Sequence, residues 1–104
     1  MDNAIQIKSF QFAVRIVKLC NHLRSTRKEY TLTKQLLCAG TSVGANVAEA
    51  QQAQSRPDFI SKLNIALKEA VETSYWLRLL QATDYLSQTE FCRYILTVKK
   101  WKNC

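Results

Sequence analysis

The sequence predicts an all-α protein: an antiparallel up-down-up-down four-helix bundle with a short fourth helix. Three observations predict it. Only 2 Gly and 1 Pro occur in 104 residues, too few turn formers for a β-sandwich or barrel of this length. Four segments carry apolar residues at three- and four-residue intervals. The stretches between them are short and polar, and short connections make successive helices antiparallel neighbours. With 47% apolar residues the chain has the means for one core and is not expected to be disordered. Its length fits a single domain over residues 1–104.

The first helix is expected from Ser9, as N-cap, or from an earlier start near Asn3, to Leu23 or a little beyond. Phe12, Ile16, Leu19, Cys20 and Leu23 gather on one arc; Lys8, Gln11, Arg15, Lys18 and His22 gather opposite. Phe10, Val14 and Val17 widen the apolar arc beyond what one core face needs, so this helix is either central or has a second partner. After the polar run from Arg24 to Glu29, Thr31 or Thr33 is expected to cap a second helix reaching about Gln54. Leu36, Leu37, Ala39, Val43, Val47 and Ala50 are its apolar positions. Gly40 and Gly44 lie on one of its faces, each costing about 1 kcal/mol of helix propensity relative to Ala. Such a pair points to close approach of another helix, inside the bundle or across a subunit contact.

Ser55-Arg56-Pro57-Asp58 marks the third helix, with Ser55 as N-cap, Pro57 in the first turn and Asp58 near the positive end of the dipole. It is expected to run to about Ala82, with Phe59, Leu63, Ala66, Leu67, Ala70, Ser74 and Leu77 as its core arc and Ile65, Trp76 and Leu79 on the other side. After the turn at Thr83-Asp84-Tyr85, Ser87 with Glu90 reads as a capping box and Leu86 with Phe91 as a hydrophobic staple. The fourth helix then puts Phe91, Tyr94, Ile95, Val98 and Trp101 on one arc, with Arg93 and Lys100 away from it. It ends after roughly a dozen residues, against roughly 25 for the second and third, which at 1.5 Å per residue is near 36 Å.

Chemistry of the enzymatic kind is not signalled. Cys20, Cys38, Cys92 and Cys104 form no C-x-x-C, and His22 is the single histidine. No zinc or other metal site and no catalytic Cys–His pair is therefore expected, and the thiols fit a reducing cytosol. No phosphate loop, dinucleotide fingerprint or nucleophile elbow occurs, so no cofactor and no enzymatic activity are expected. No secretory leader is visible, and the longest uncharged run, Gln35 to Ala48, is too short to span a bilayer. The expectation is a cytoplasmic protein without a membrane partner.

Ser42, Asn46 and Glu49 share one face of the second helix beside the apolar positions. With Glu69 and Glu72 of the third helix they are expected to form a structural polar network, because buried polar groups need partners. Charge is uneven. Residues 1–30 carry six Lys or Arg against Asp2 and Glu29, a net of +4, and residues 85–104 carry four against Glu90, a net of +3. Residues 57–84 carry three against four, a net of −1. The first and fourth helices are neighbours in such a bundle, so Lys8, Arg15, Lys18, Arg93 and Lys100 are expected on one side as an electrostatic footprint for RNA or DNA. Without a base-reading motif, binding would follow charge and shape. The alternative is a protein-interaction module whose basic surface meets an acidic protein.

The run from Ser42 to Glu49, Ser-Val-Gly-Ala-Asn-Val-Ala-Glu, resembles the Ser-Ile-x-x-Asn-Ile-Ala-Glu signature of a bacterial family, the proteins encoded in intervening sequences of 23S rRNA genes. Ser9-Phe10, Tyr30 to Gln35, and Ile65-Ala66 through Glu72 extend the resemblance over nearly the whole chain. It implies a four-helix bundle assembling as a homo-oligomer, a ring of five, and kinship with the accessory proteins of diversity-generating retroelements, whose basic barrel binds nucleic acid and a reverse transcriptase. Two departures stand out: Ala50 where Gly is common, and a chain that stops at Trp101-Lys102-Asn103-Cys104 where relatives continue.

Overall fold

Long runs of helix-forming residues broken only near Lys28, Pro57 and Asp84 give long helices and tight corners. The computed structural model describes residues 4–94. In it α1 spans Ala4–Thr26, α2 Thr31–Ala50 and α3 Arg56–Ala82; α4 begins at residue 88 and is described to residue 94. The described residues are helices and connections without a strand. Contacts between α1 and α2 run in opposite chain order: Arg24 meets Thr33, Ile16 meets Gly40 and Ser9 meets Gly44. The two helices are thus antiparallel, and α3 also packs along α2.

The core is drawn from all four elements. Phe12, Ile16, Leu19 and Leu23 of α1 meet Leu36 and Val43 of α2 and Leu77 and Leu80 of α3. Leu86 closes the end, and Trp76, Tyr85, Phe91 and Tyr94 pack against the cluster. Each large apolar side chain fully withdrawn from water contributes roughly 1.5–3 kcal/mol.

Helix ends explain where the sequence-based boundaries shift. Ser9 is not an N-cap: α1 starts at Ala4, and the buried Ser9 hydroxyl donates to the Gln6 carbonyl at 3.1 Å. Neither Thr31 nor Thr33 caps α2. The Glu29 carboxylate accepts from the N–H groups of Leu32 (3.1 Å) and Thr33 (2.9 Å), serving two of the orphan donors of the first turn. The second helix stops at Ala50 rather than near Gln54, its last N–H groups tightening to three-residue bonds from Gln51, Gln52 and Ala53. That leaves room for Ser55, whose hydroxyl accepts from Asp58 N–H at 3.2 Å and caps α3 as expected.

The far end of α3 closes with Asp84 in the left-handed region at φ 70°. Tyr85 N–H donates to Leu80 O and Asp84 N–H to Gln81 O, the two bonds of a Schellman ending. The Ser87–Glu90 capping box is present in both directions, at 2.9 and 3.1 Å, with Leu86 buried and Phe91 packed on the core beside it.

Two assignments within α3 are corrected. Trp76, expected on the side away from the core, is half-buried and packs against the core cluster. Leu67 was expected in the core arc, yet it is exposed, while Thr73 is buried. The seam facing the core is Ala66, Ala70, Thr73, Leu77 and Leu80, and Leu67 lies one position round from Ala66, a rotation of about 100° off that seam.

Candidate nucleic-acid interface

Helix α1 carries Lys8, Arg15, Lys18 and Arg24 and not one carboxylate in 23 residues. Lys8, Arg15 and Lys18 recur at seven and three residues, which puts them on one flank. Lys8 and Lys18 are exposed, and no carboxylate among the described residues pairs with either. Arg15 is half-buried, its guanidinium carbon 5.2 Å from the Tyr94 ring centroid, a cation–π distance. This contact sets the basic flank of α1 beside α4, where Arg93 is exposed. Four of the five expected basic positions are thus described, with Arg15 against α4 directly; Lys100 lies outside the described residues.

The basic flank continues to a corner that the sequence reading treated only as a polar connection. Arg27 lies over the Tyr85 ring at 4.8 Å and donates to the Asp84 carbonyl at 3.1 Å, tying the end of α1 to the end of α3. A cleft of about 390 Å³ opens there, lined by His22, Thr26, Arg27, Tyr85, Ser87 and Glu90 among others. Arg24 Nε donates to the buried Thr33 hydroxyl at 2.9 Å, and that hydroxyl donates to the Glu29 carbonyl. The alternation of Arg24, Arg27 and Glu29 around a predicted turn was the one available signal of this lattice.

The polar stripe of α2 is arranged differently from an interior network. Asn46 and Ser42 are brought together, but by a bond of 2.8 Å from Asn46 Nδ2 to the Ser42 main-chain carbonyl, and both are half-buried. Glu49 is 58% exposed and pairs with Lys62 of α3 at 2.9 Å. That hydrogen bond holds the Lys62 ammonium pKa above its ordinary value. Glu72 is exposed on α3 beside Glu69, not against Asn46; the Glu69 carboxyl is raised by partial burial and then by the Glu72 charge. The physical reason is register. Ser42, Asn46 and Glu49 each precede a buried residue, Val43, Val47 and Ala50, by one position, which turns them about 100° off the core.

Cysteine chemistry is muted. Cys20 is buried and its thiol donates to the Thr33 carbonyl at 3.5 Å; burial pushes its pKa up to about 11, the opposite of an activated nucleophile. Cys38 is exposed and Cys92 half-buried. No group of three His, Cys, Asp or Glu among the described residues could hold a metal ion. No helix among them is long and apolar enough to cross a membrane.

A small helical bundle with a carboxylate-free basic helix on one flank is thus the class of protein that fold and surface define. The family model of the 23S rRNA-intervening sequence protein matches residues 1–103, and the chain belongs to that family. It is also similar to a crystal structure at 1.70 Å from Bacteroides thetaiotaomicron, described as a protein with unknown function from the S23 ribosomal protein family. The TM-score is 0.92 and the identity 50%, over 93% of this chain and 90% of that one. No curated protein matches the sequence.

Proposed function

We propose that the protein is a non-enzymatic, cytoplasmic, oligomeric module that binds RNA or DNA through charge and shape. One observation carries the binding: the exposed cations of α1 face solvent on a helix without a single acid. A phosphate backbone is the common polyanion that rewards such a row, through release of its counterions. Family membership supports an oligomeric ring, five subunits by resemblance, and the exposed apolar side chains Ile7, Phe10, Val14 and Val17 on α1 support a further partner for that helix. The bound form would then multiply one weak basic flank by the number of subunits.

The test is a titration against unrelated RNA, duplex DNA and heparin over a range of salt. Duplex affinity should fall with salt at a slope of about −0.9 per phosphate neutralised, with little difference between sequences. Lys8→Glu with Arg15→Glu should weaken every sequence alike and flatten the slope. Affinity indifferent to salt or to those reversals would reject the nucleic-acid reading. Binding to none of the polyanions at low salt would favour an acidic protein partner instead.

A further inference from the structure

The cleft between the end of α1, the corner after α3 and the first turn of α4 has walls of two kinds. Its volume of about 390 Å³ falls within the range of small-ligand sites. One wall is a planar cation. Arg27 lies 4.8 Å from the Tyr85 ring centroid, and its Nη1 donates to the Asp84 carbonyl at 3.1 Å. These two contacts hold the guanidinium in place with Tyr85 on one side of it, and the residue is otherwise exposed. A flat ring system can stack on such a plane. The second wall is a carboxylate. Glu90 Oε1 accepts from the Ser87 N–H at 2.9 Å, which steadies the side chain. Its other oxygen accepts no hydrogen bond among the described residues.

Charge says what the cleft does not hold. Among the described lining residues two acids, Asp84 and Glu90, stand against one full cation, Arg27, so a phosphate would be repelled there. A flat ligand with hydrogen-bond donors along one edge suits both walls. The flank of α1 says how such a ligand would arrive. His22 lines the cleft, and Lys18 precedes it by one helical turn on the flank that also carries Lys8 and Arg15. That basic flank is about 21 Å long from Lys8 to His22 at 1.5 Å per residue, and it ends at the cleft. Phosphates laid along it would bring a strand to the opening.

We infer that the cleft takes an unpaired guanine from a single strand whose phosphates lie along α1. The inference deepens the nucleic-acid reading and rests on it. Guanine is the base whose Watson–Crick edge offers two adjacent donors, N1–H and the 2-amino group, which one carboxylate accepts together. Adenine and cytosine each set a ring acceptor beside their amino donor, and uracil flanks its N–H with two carbonyl oxygens. Each of these turns a lone pair toward Glu90. In a duplex that edge of guanine is already paired, so a duplex does not enter the cleft and is held through its phosphates alone.

Anisotropy titrations at low salt test this with a labelled uridine oligomer that carries guanosine, inosine, adenosine or uridine at its centre. The guanosine strand should bind at least about fivefold more tightly than the uridine strand, the lower end of what a bidentate base contact provides. Inosine, which lacks the 2-amino group, should fall between them. Glu90→Gln keeps the capping box, because glutamine serves at the same position. Its melting should match the parent, the guanosine preference should disappear, and affinity for the uridine strand should not fall. Free guanosine monophosphate should bind much more weakly than the strand; equal affinity would make the cleft a mononucleotide site and overturn the single-strand assignment. Equal affinity across the series, a preference that survives Glu90→Gln, or binding of duplex without binding of any strand would overturn the inference and leave charge-driven binding standing. Binding to neither strand nor duplex would overturn both it and the nucleic-acid reading.

Discussion

Gly40 of α2 lies directly against Ile16 of α1: a methyl group at position 40 would fall 2.8 Å from Ile16 Cγ2 and 3.0 Å from its Cγ1. Ile16 is 0% exposed, so the side chain has nowhere to retreat. Overpacking of this kind costs about 1–3 kcal/mol, against a helix-propensity gain from Gly to Ala of about 1 kcal/mol. Gly40→Ala should therefore lower stability to denaturant by up to about 2 kcal/mol. Adding Ile16→Ala empties the space the methyl needs, so the double variant should be less destabilised than the sum of the singles. Additive losses would show that the two positions do not share the space.

The turn after α3 holds Asp84 at φ 70°, a conformation that L-residues adopt at a cost and glycine adopts freely. The Schellman bonds and the Arg27 bond to residue 84 use its main chain alone. Asp84→Gly keeps all of them and should raise stability by about 0.5–1 kcal/mol, whereas Asp84→Val should lower it. A melting curve for each variant checks the sign.

Cys20 gives a pH-dependent expectation. Its thiol is held at about 11 against an ordinary 9.0, chiefly by burial, with Arg24 opposing and Glu29 adding to the rise. The folded pKa is raised, so between those values the unfolded chain releases a proton that the native state keeps. The contribution is whole below pH 9 and is lost as pH climbs toward 11. Cys20→Ala should be less stable than the parent at pH 7, from the lost packing, but its stability should fall less steeply above pH 9. At pH 8 a thiol reagent should label Cys38 at once and Cys20 only on unfolding; immediate labelling of Cys20 in the native state would refute the burial argument.

Asn46 is bonded only to the Ser42 carbonyl one turn back on its own helix, and it is half-buried. Asn46→Ala removes that local bond and gains helix propensity of a few tenths of a kcal/mol, since Asn competes poorly with Ala in a helix. The net change should lie within about 1 kcal/mol, with nucleic-acid affinity unaltered. A loss several times larger would show that Asn46 has a partner beyond its own helix.

The helices were legible because their periodicity is physical: Phe12, Ile16, Leu19 and Leu23 repeat at the helical step, and the structure buries all four. The Ser55 cap and the Ser87–Glu90 box were legible because each is closed by residues three apart in sequence. What escaped was set by relations across elements. The Glu29 cap of α2 looked like part of a loop, and Thr33 looked like a cap until Arg24, nine residues earlier, took its hydroxyl. Leu67 and Ala66 are adjacent in sequence, and which of them faces inward depends on the rotation of α3 against α2, which composition does not fix. At the surface, the charge imbalance of the first thirty residues was visible at once. That Arg15 sits on Tyr94, 79 positions later, was not.

The close approach of α1 and α2 at Gly40 and Gly44 bears on the order in which the chain acquires structure. Its contacts join segments that follow one another along the chain, so little loop entropy opposes their formation. The tie from Arg27 to Asp84 spans 57 positions and can be made only after α3 is in place. A nascent chain would therefore close its first hairpin while α3 is still being synthesised, and the basic helix would be folded before the end that caps it exists. Pulse-labelling hydrogen exchange during refolding should show protection in α1 and α2 ahead of the Tyr85–Leu86 corner.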